Sequence, residues 1–150
     1  MPPFKTYVGY IASEVTAFGS PVVYLPLVVL FWRLGIADWR AAAMIFAVTE
    51  IVCAAWKLAW PVPRPAPRPP KTFFDRYDAG SFPSIHSARA AAAVTWLALV
   101  VPDRALIGLG IALALGVGWS RVYLRQHYVR DVLGGFAAGT LLTLLVARLW

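Results

Sequence analysis

Lys57 and Arg64 stand seven residues apart, and a proline follows the arginine. Both lie where an apolar run gives way to a proline-rich stretch, which suits cations reaching for a membrane interface or gripping an anion. A second group, Phe82-Pro83-Ser84-Ile85-His86-Ser87, precedes another apolar run. A helix start offers unpaired backbone N–H groups and the positive end of the dipole, so it favours an anion. There Ser84 suits an N-cap or a phosphate donor, and His86, in the first turn, a proton donor. The third group is Ser120-Arg121, then His127, then Asp131. If a helix opens over residues 126–134, His127 and Asp131 at i,i+4 share one face. A carboxylate on one imidazole nitrogen fixes the tautomer and frees the other as nucleophile or base.

Each group alone has an ordinary explanation: interfacial cations, a capping serine beside a histidine, a structural His–Asp pair. Together they form the inventory that phosphoryl transfer requires. Cations and N–H groups take the equatorial oxygens, a nucleophile attacks, and an acid serves the leaving oxygen. At this level the residues leave open which histidine attacks.

The elements that must position them are apolar. Of 150 residues, 60% are hydrophobic and only 14% charged, against roughly 25% charged in soluble domains, so lipid replaces water as the main solvent. The length suits one domain, residues 1–150. The net charge of +7, from 14 basic and 7 acidic residues, fits anionic lipid or a phosphate substrate. The apolar content argues against nucleic acid as a partner. Cys53 is the only cysteine, so no intrachain disulfide forms. The N-terminus lacks the zones of a cleaved signal peptide, and insertion is expected to rely on the spans themselves.

The expected fold is an all-α integral-membrane bundle. Five segments read as spans: Val15–Trp32, Ala41–Trp60, Ser84–Val101, Ala105–Tyr123 and Asp131–Leu149, near the ~20 residues that cross the hydrocarbon. Phe4, Val8, Ile11 and Val15 recur at helical spacing, which marks a candidate N-terminal interfacial helix. The stretch Pro61–Phe82 holds six of the twelve prolines and reads as a loop, since proline cannot continue a helix. Gly135 and Gly139, with Gly108, Gly110, Gly116 and Gly118, should let the last spans pack closely.

With the proline-rich loop on an upper face, Trp56, Trp60 and Trp119 fall near upper ends and Trp32, Trp39 and Trp150 near lower ends, as aromatic belts do. Nine of the fourteen basic residues and both histidines are then upper. That one-sided field suits a polyanion site. Arg68 and Arg125 could widen it. Glu50, mid-span, is read as structural, either protonated or hydrogen-bonded to a neighbouring helix.

The three groups resemble the tripartite signature of the type-2 phosphatidic acid phosphatase (PAP2) superfamily, KxxxxxxRP, PSGH and SRxxxxxHxxxD. They occur in that order and cover Lys57 to Asp131, about half the chain. The first and third match at every defining position; in the second, Ile85 stands where the family has glycine. The resemblance implies that Lys57, Arg64 and Arg121 bind phosphate oxygens, helped by Ser84 and the Ile85 N–H. It implies that His127 attacks phosphorus and forms a phosphohistidine, oriented by Asp131. His86 would protonate the leaving alkoxide and then activate water. No metal or other cofactor is implied.

Glycine lets a backbone approach an anion without a Cβ, whereas Ile85 adds a stiff branched side chain. If Ile85 has ordinary helix-start geometry, its N–H still faces the anion and activity survives. The family's membrane members typically have six spans, one more than the five read here. The implied substrate is a lipid phosphomonoester or diphosphate: polyprenyl diphosphate, towards which the compact chain inclines, phosphatidic acid, or phosphatidylglycerophosphate. The rivals are a lipid phosphotransferase using the same site and a non-catalytic lipid-phosphate binder. Vanadate haloperoxidase chemistry, found in soluble relatives, conflicts with this hydrophobic chain. Substrate and membrane lipids are the expected partners, in the cell membrane with the site facing the extracytoplasmic side.

Overall fold

The computed structural model describes residues 4–35, 39–66, 72 and 79–150, whose regular structure is all helical. In chain order these are α1 (Phe4–Ala17), α2 (Pro21–Arg33), α3 (Trp39–Ala59), α4 (Ile85–Val100), α5 (Arg104–Tyr123) and α6 (Val129–Leu149). Among the described residues, four stretches are long and apolar enough to cross a membrane: Thr6–Arg33 across the α1–α2 break, α3, α5 and α6. The third expected span, α4, has 16 residues and measures about 24 Å at 1.5 Å per residue.

The first expected span is displaced. A single helix from Val15 to Trp32 does not form; the chain breaks at residues 18–20 and α2 restarts with Pro21 at its first position, where a missing N–H costs nothing. The candidate interfacial helix, α1, packs along α5. Its inward face carries Ala12, wholly buried, while Ile11 is 57% exposed. Small residues explain the choice. Gly116 leaves room for Val15, whose Cγ1 would stand 3.2 Å from any Cβ added there.

Packing is inverted relative to a water-soluble domain. The interior is built from small or polar residues such as Ala42, Ala88, Ala92, Thr49 and Thr143, while Val22, Leu25, Ile51, Leu133 and Leu145 point outward. With lipid outside, burying a leucine gains little, and close backbone approach decides how helices pair. The most extensive pairing joins α4 to α6. A Cβ on Gly135 would lie 2.3 Å from the Ser84 carbonyl oxygen, and one on Gly139 would lie 2.0 Å from that of Ala88. Gly110 and Gly118 also face neighbouring side chains, whereas Gly108 faces nothing within 4 Å.

Aromatic rings mark both ends. Trp56 packs on Trp60 and Phe82 at centroid distances of 5.4 and 6.1 Å, and Trp32 approaches Trp39 at 6.3 Å at the other end. Glu50 is ion-paired with Arg89 of α4. Of the two forms expected for it, the one bonded to a neighbouring helix is present.

Candidate active site

The ends of α3, α4, α5 and α6 meet at the face with the proline-rich loop. The loop is tied at its base, where the Ser81 N–H donates to the Val62 carbonyl at 2.7 Å. Three residues later the chain enters α4 with Ser84 as N-cap. Ser84 Oγ accepts from the Ser87 N–H at 3.5 Å and from Ser87 Oγ at 2.9 Å. Its own N–H donates to the Asp131 carbonyl at 2.9 Å, stitching the starts of α4 and α6 together. Ile85 follows as the first helical residue. It is not among the positive-φ positions, and its side chain turns into an apolar cluster with Cys53 and Ala88. Ordinary helix-start geometry therefore holds at Ile85, and its branched side chain is spent on packing.

The turn after α5 brings Arg121 and His127 together. The Arg121 carbonyl accepts from the N–H groups of both Gln126 and His127, at 3.0 and 3.1 Å. That folds the five intervening residues into a compact loop, with Arg125 exposed at φ 54°. His127 is not on the helix. The N-cap of α6 is Tyr128, whose N–H donates to Asp131 Oδ2 at 2.8 Å; Asp131 caps the helix and so holds its start beyond His127. The two side chains still converge: His127 Nδ1 lies 3.8 Å from Asp131 Oδ2, beyond a hydrogen bond but close enough to pair once the ring is protonated. Catalytic hydrogen bonds are often this long before substrate arrives.

Ser81 is a participant that no pattern in the sequence indicated. Its hydroxyl donates to Asp131 Oδ2, and both residues are completely buried. The carboxylate is thus fixed from two sides, by a hydroxyl and by a backbone N–H. A polar residue immediately before Phe82-Pro83 was the only trace of it in the sequence.

Lys57, at the end of α3, is 1% exposed, and its stem packs on Gly80. Arg121 is 5% exposed, and Arg64 is partly buried. Burial comes first in pushing the His127 imidazole from an ordinary 6.5 down to about 2, followed by the charges of Arg121, Lys57 and Arg64. All three cations therefore lie close enough to act on that ring. Neither ring nitrogen makes a hydrogen bond of ordinary geometry among the described residues; the Ser81 backbone approaches and pulls weakly the other way. The same cations, with Arg89, also act on His86, whose Nδ1 is buried without a partner among the described residues. The structure thus gathers Lys57, Arg64, Ser84, Ile85, His86, Arg121, His127 and Asp131 at one end of the bundle. Arg68 lies outside the described residues.

An apolar groove of about 250 Å³ descends beside this cluster between α2, α4 and α5. Its upper lining includes Ala90 and Val117, each one helical turn from His86 and Arg121 respectively. Phe31 and Trp96, with ring centroids 5.3 Å apart, line its other end. Ten residues of α4 separate His86 from Trp96, or ~15 Å, which is half of a ~30 Å hydrocarbon core.

Comparison with known proteins agrees with this geometry. The PAP2 superfamily model matches residues 38–150. Phosphatidylglycerophosphatase B of Bacillus subtilis (strain 168) is 30% identical over 156 residues, covering 95% of this chain and 75% of that protein. The crystal structure of a transmembrane PAP2-type phosphatidylglycerolphosphate phosphatase from Bacillus subtilis superposes with a TM-score of 0.75 at 29% identity, over 95% of this chain and 76% of the other. Aquifex aeolicus LpxE shares the fold at a TM-score of 0.81 and 19% identity, over 95% and 86% of the two chains. A matched family model over most of the chain, apolar helices of spanning length and a polar cluster at one end of them lead to one assignment: the chain belongs to the PAP2 superfamily and is an integral-membrane phosphatase.

Proposed function

We propose that this phosphatase hydrolyses a phosphomonoester or diphosphate of a membrane lipid through a phosphohistidine on His127. The observation that carries this reading is a buried imidazole acted on by three cations and set 3.8 Å from a fixed carboxylate. Lys57, Arg64 and Arg121 bind the phosphate oxygens, with the Ser84 hydroxyl and the Ile85 N–H completing the cradle. Burial and these cations keep His127 unprotonated in the empty site, so its lone pair is available. Asp131 lies on the Nδ1 side and leaves Nε2 to attack phosphorus. The anionic substrate offsets the cations around His86, which then holds a proton and, as the P–O bond breaks, gives it to the departing alkoxide, or to the departing lipid phosphate when the substrate is a diphosphate. His86 then takes a proton from water, whose oxygen attacks the phosphohistidine, and inorganic phosphate leaves as His127 regains its lone pair. Cationic charge fixed in a dry site stabilises the transition state more than the ground state.

The lipid substrate is supported by the groove, which starts one turn below the cluster and is as deep as one leaflet. The name of the Bacillus relative makes phosphatidylglycerophosphate the first substrate to test, ahead of phosphatidic acid and polyprenyl diphosphate. The experiment is phosphate release from these three lipids in mixed micelles, each in short- and long-chain form, with and without an acceptor lipid. Release without acceptor and a preference for long chains support the proposal; turnover only with an acceptor makes the protein a transferase.

Loss of the Ser81 hydroxyl should loosen Asp131. A hydrogen bond to a charged, buried group contributes about 1.5–3 kcal/mol, so Ser81→Ala is expected to lower kcat about tenfold while KM changes little. Steady-state phosphate release on the purified variant measures both. Wild-type kcat would show that Tyr128 alone suffices to hold the carboxylate.

On this reading the active face lies on the extracytoplasmic side. Arg33, Arg40, Arg104 and Arg148 at the opposite ends then obey the positive-inside rule, and several cations of the active face are accounted for by the phosphate. A C-terminal green fluorescent protein fusion should be bright, because it folds only in the cytoplasm. A dark fusion beside an active alkaline phosphatase fusion would reverse the orientation.

A further inference from the structure

The match to the family model begins at residue 38, yet the junction of α1 and α2, well before it, bonds directly to the active end. Thr16 Oγ1, in the last turn of α1, accepts from Arg121 Nη1 at 2.9 Å. Three residues later the Gly19 carbonyl accepts from Arg89 Nη1 at 3.0 Å, and Arg89 Nε is paired with Glu50 of α3. Gly19 also presses on His86: a Cβ there would stand 2.7 Å from His86 Cβ and 2.9 Å from Val117 Cγ1. One short segment, residues 16–19, therefore touches Arg121, Arg89 and His86 at once.

The two arginines play different parts. Arg89 is 6% exposed and has both Nε and Nη1 engaged, the first with a carboxylate and the second with a carbonyl just past the end of α1. A cation suits that end of a helix, where carbonyls lack intrahelical partners. Its charge is balanced by Glu50, so Arg89 is a strut. The bond from Arg121 to α1 goes to a neutral acceptor, the Thr16 hydroxyl. A planar guanidinium presents its donors in a rigid fork, so fixing one Nη fixes where the others aim. A hydroxyl does this without neutralising the charge that an anion needs.

We propose that the α1–α2 junction is a positioning element of the phosphate site: Thr16 aims the Arg121 guanidinium, and Gly19, held by the Arg89–Glu50 strut, sets the position of His86. This rests on the reading of Arg121 as a phosphate ligand. Thr16 and Gly19 are positioning residues and touch no substrate. The element is absent from the three motifs because its contribution is one hydroxyl, one carbonyl and the lack of a side chain.

The test is the affinity of the purified full-length protein for inorganic orthophosphate, by calorimetry in detergent, beside kcat and KM. Thr16→Val keeps the shape and removes the acceptor; phosphate affinity should fall about tenfold, as expected for loss of a hydrogen bond to a charged group. KM should rise with it more than kcat falls. Thr16→Ser should restore the affinity, and neither variant should move the thermal midpoint. If Thr16→Val does not fold, Thr16→Ala reads the same loss. Wild-type affinity in Thr16→Val, a serine variant as weak as the valine one, or no phosphate binding by the wild type each overturns the proposal. His127→Ala, run alongside, separates the two readings. If it retains turnover the phosphohistidine fails, while a Thr16-dependent phosphate affinity still stands.

Discussion

His127→Ala, purified beside the wild type, is expected to release phosphate from lipid at least ~10⁴-fold more slowly, the scale of loss when a covalent nucleophile is removed. The loss should fall on kcat. Lys57, Arg64 and Arg121, the proposed phosphate ligands, remain in the variant, so ground-state binding should persist and KM should move little. A residual rate is expected from direct attack of water on the clamped phosphate, since oxyanion stabilisation outlives the nucleophile. A second readout examines the intermediate itself. With substrate labelled on phosphorus, rapid quenching in alkali, in which phosphohistidine survives, should leave label on the wild-type protein and none on the variant. Equal turnover by the two proteins would remove the mechanism, whatever the substrate.

The second large effect concerns assembly. In a helix, alanine is intrinsically better than glycine by about 1 kcal/mol. At Gly108, where nothing lies within 4 Å, Gly108→Ala should be neutral or slightly stabilising. At Gly139 the same methyl would lie 2.0 Å from the Ala88 carbonyl oxygen and 3.0 Å from the Ala92 amide nitrogen. Those are backbone atoms of a neighbouring helix and cannot rotate away. Gly139→Ala must push α6 from α4, and the Ser84–Asp131 bond at their starts goes with it. We expect a loss of about 3 kcal/mol or more, several times the intrinsic gain in the opposite direction. Thermal unfolding in detergent measures the pair, and a Gly139→Ala midpoint equal to that of Gly108→Ala would contradict the close packing.

The polar cluster was legible in the sequence because charged and hydroxylic residues are rare in this chain and costly in lipid, so each announces itself. The apolar runs that carry them were legible for the same reason. Boundaries set by tertiary contacts were not. The apolar pattern of the first 33 residues is nearly continuous, and the break at residues 18–20 belongs to Gly19 packing on His86, a partner 67 positions away. His127 was expected on a helix because i,i+4 spacing suits one; the carboxylate that makes the spacing attractive instead caps α6 and stops it short. Ser81 and Thr16 escaped notice because a lone hydroxyl has no periodicity, and its importance depends on which buried ion it meets. Ile85 could not be judged from residue type, since only its backbone conformation and the direction of its side chain decide whether glycine is needed.

The glycine-mediated contact of α4 with α6 divides the labour within the site. His86 rides on α4 and Asp131 on α6, with His127 anchored at the latter's threshold, so the groups proposed to react share one chassis. Lys57 and Arg64 come from α3 and the strand of chain that leaves it, a separate piece that meets the chassis from the side. Change in that piece alone could retune which headgroups are accepted while leaving the bond-breaking apparatus untouched. One reaction core could thereby serve many lipids across a family.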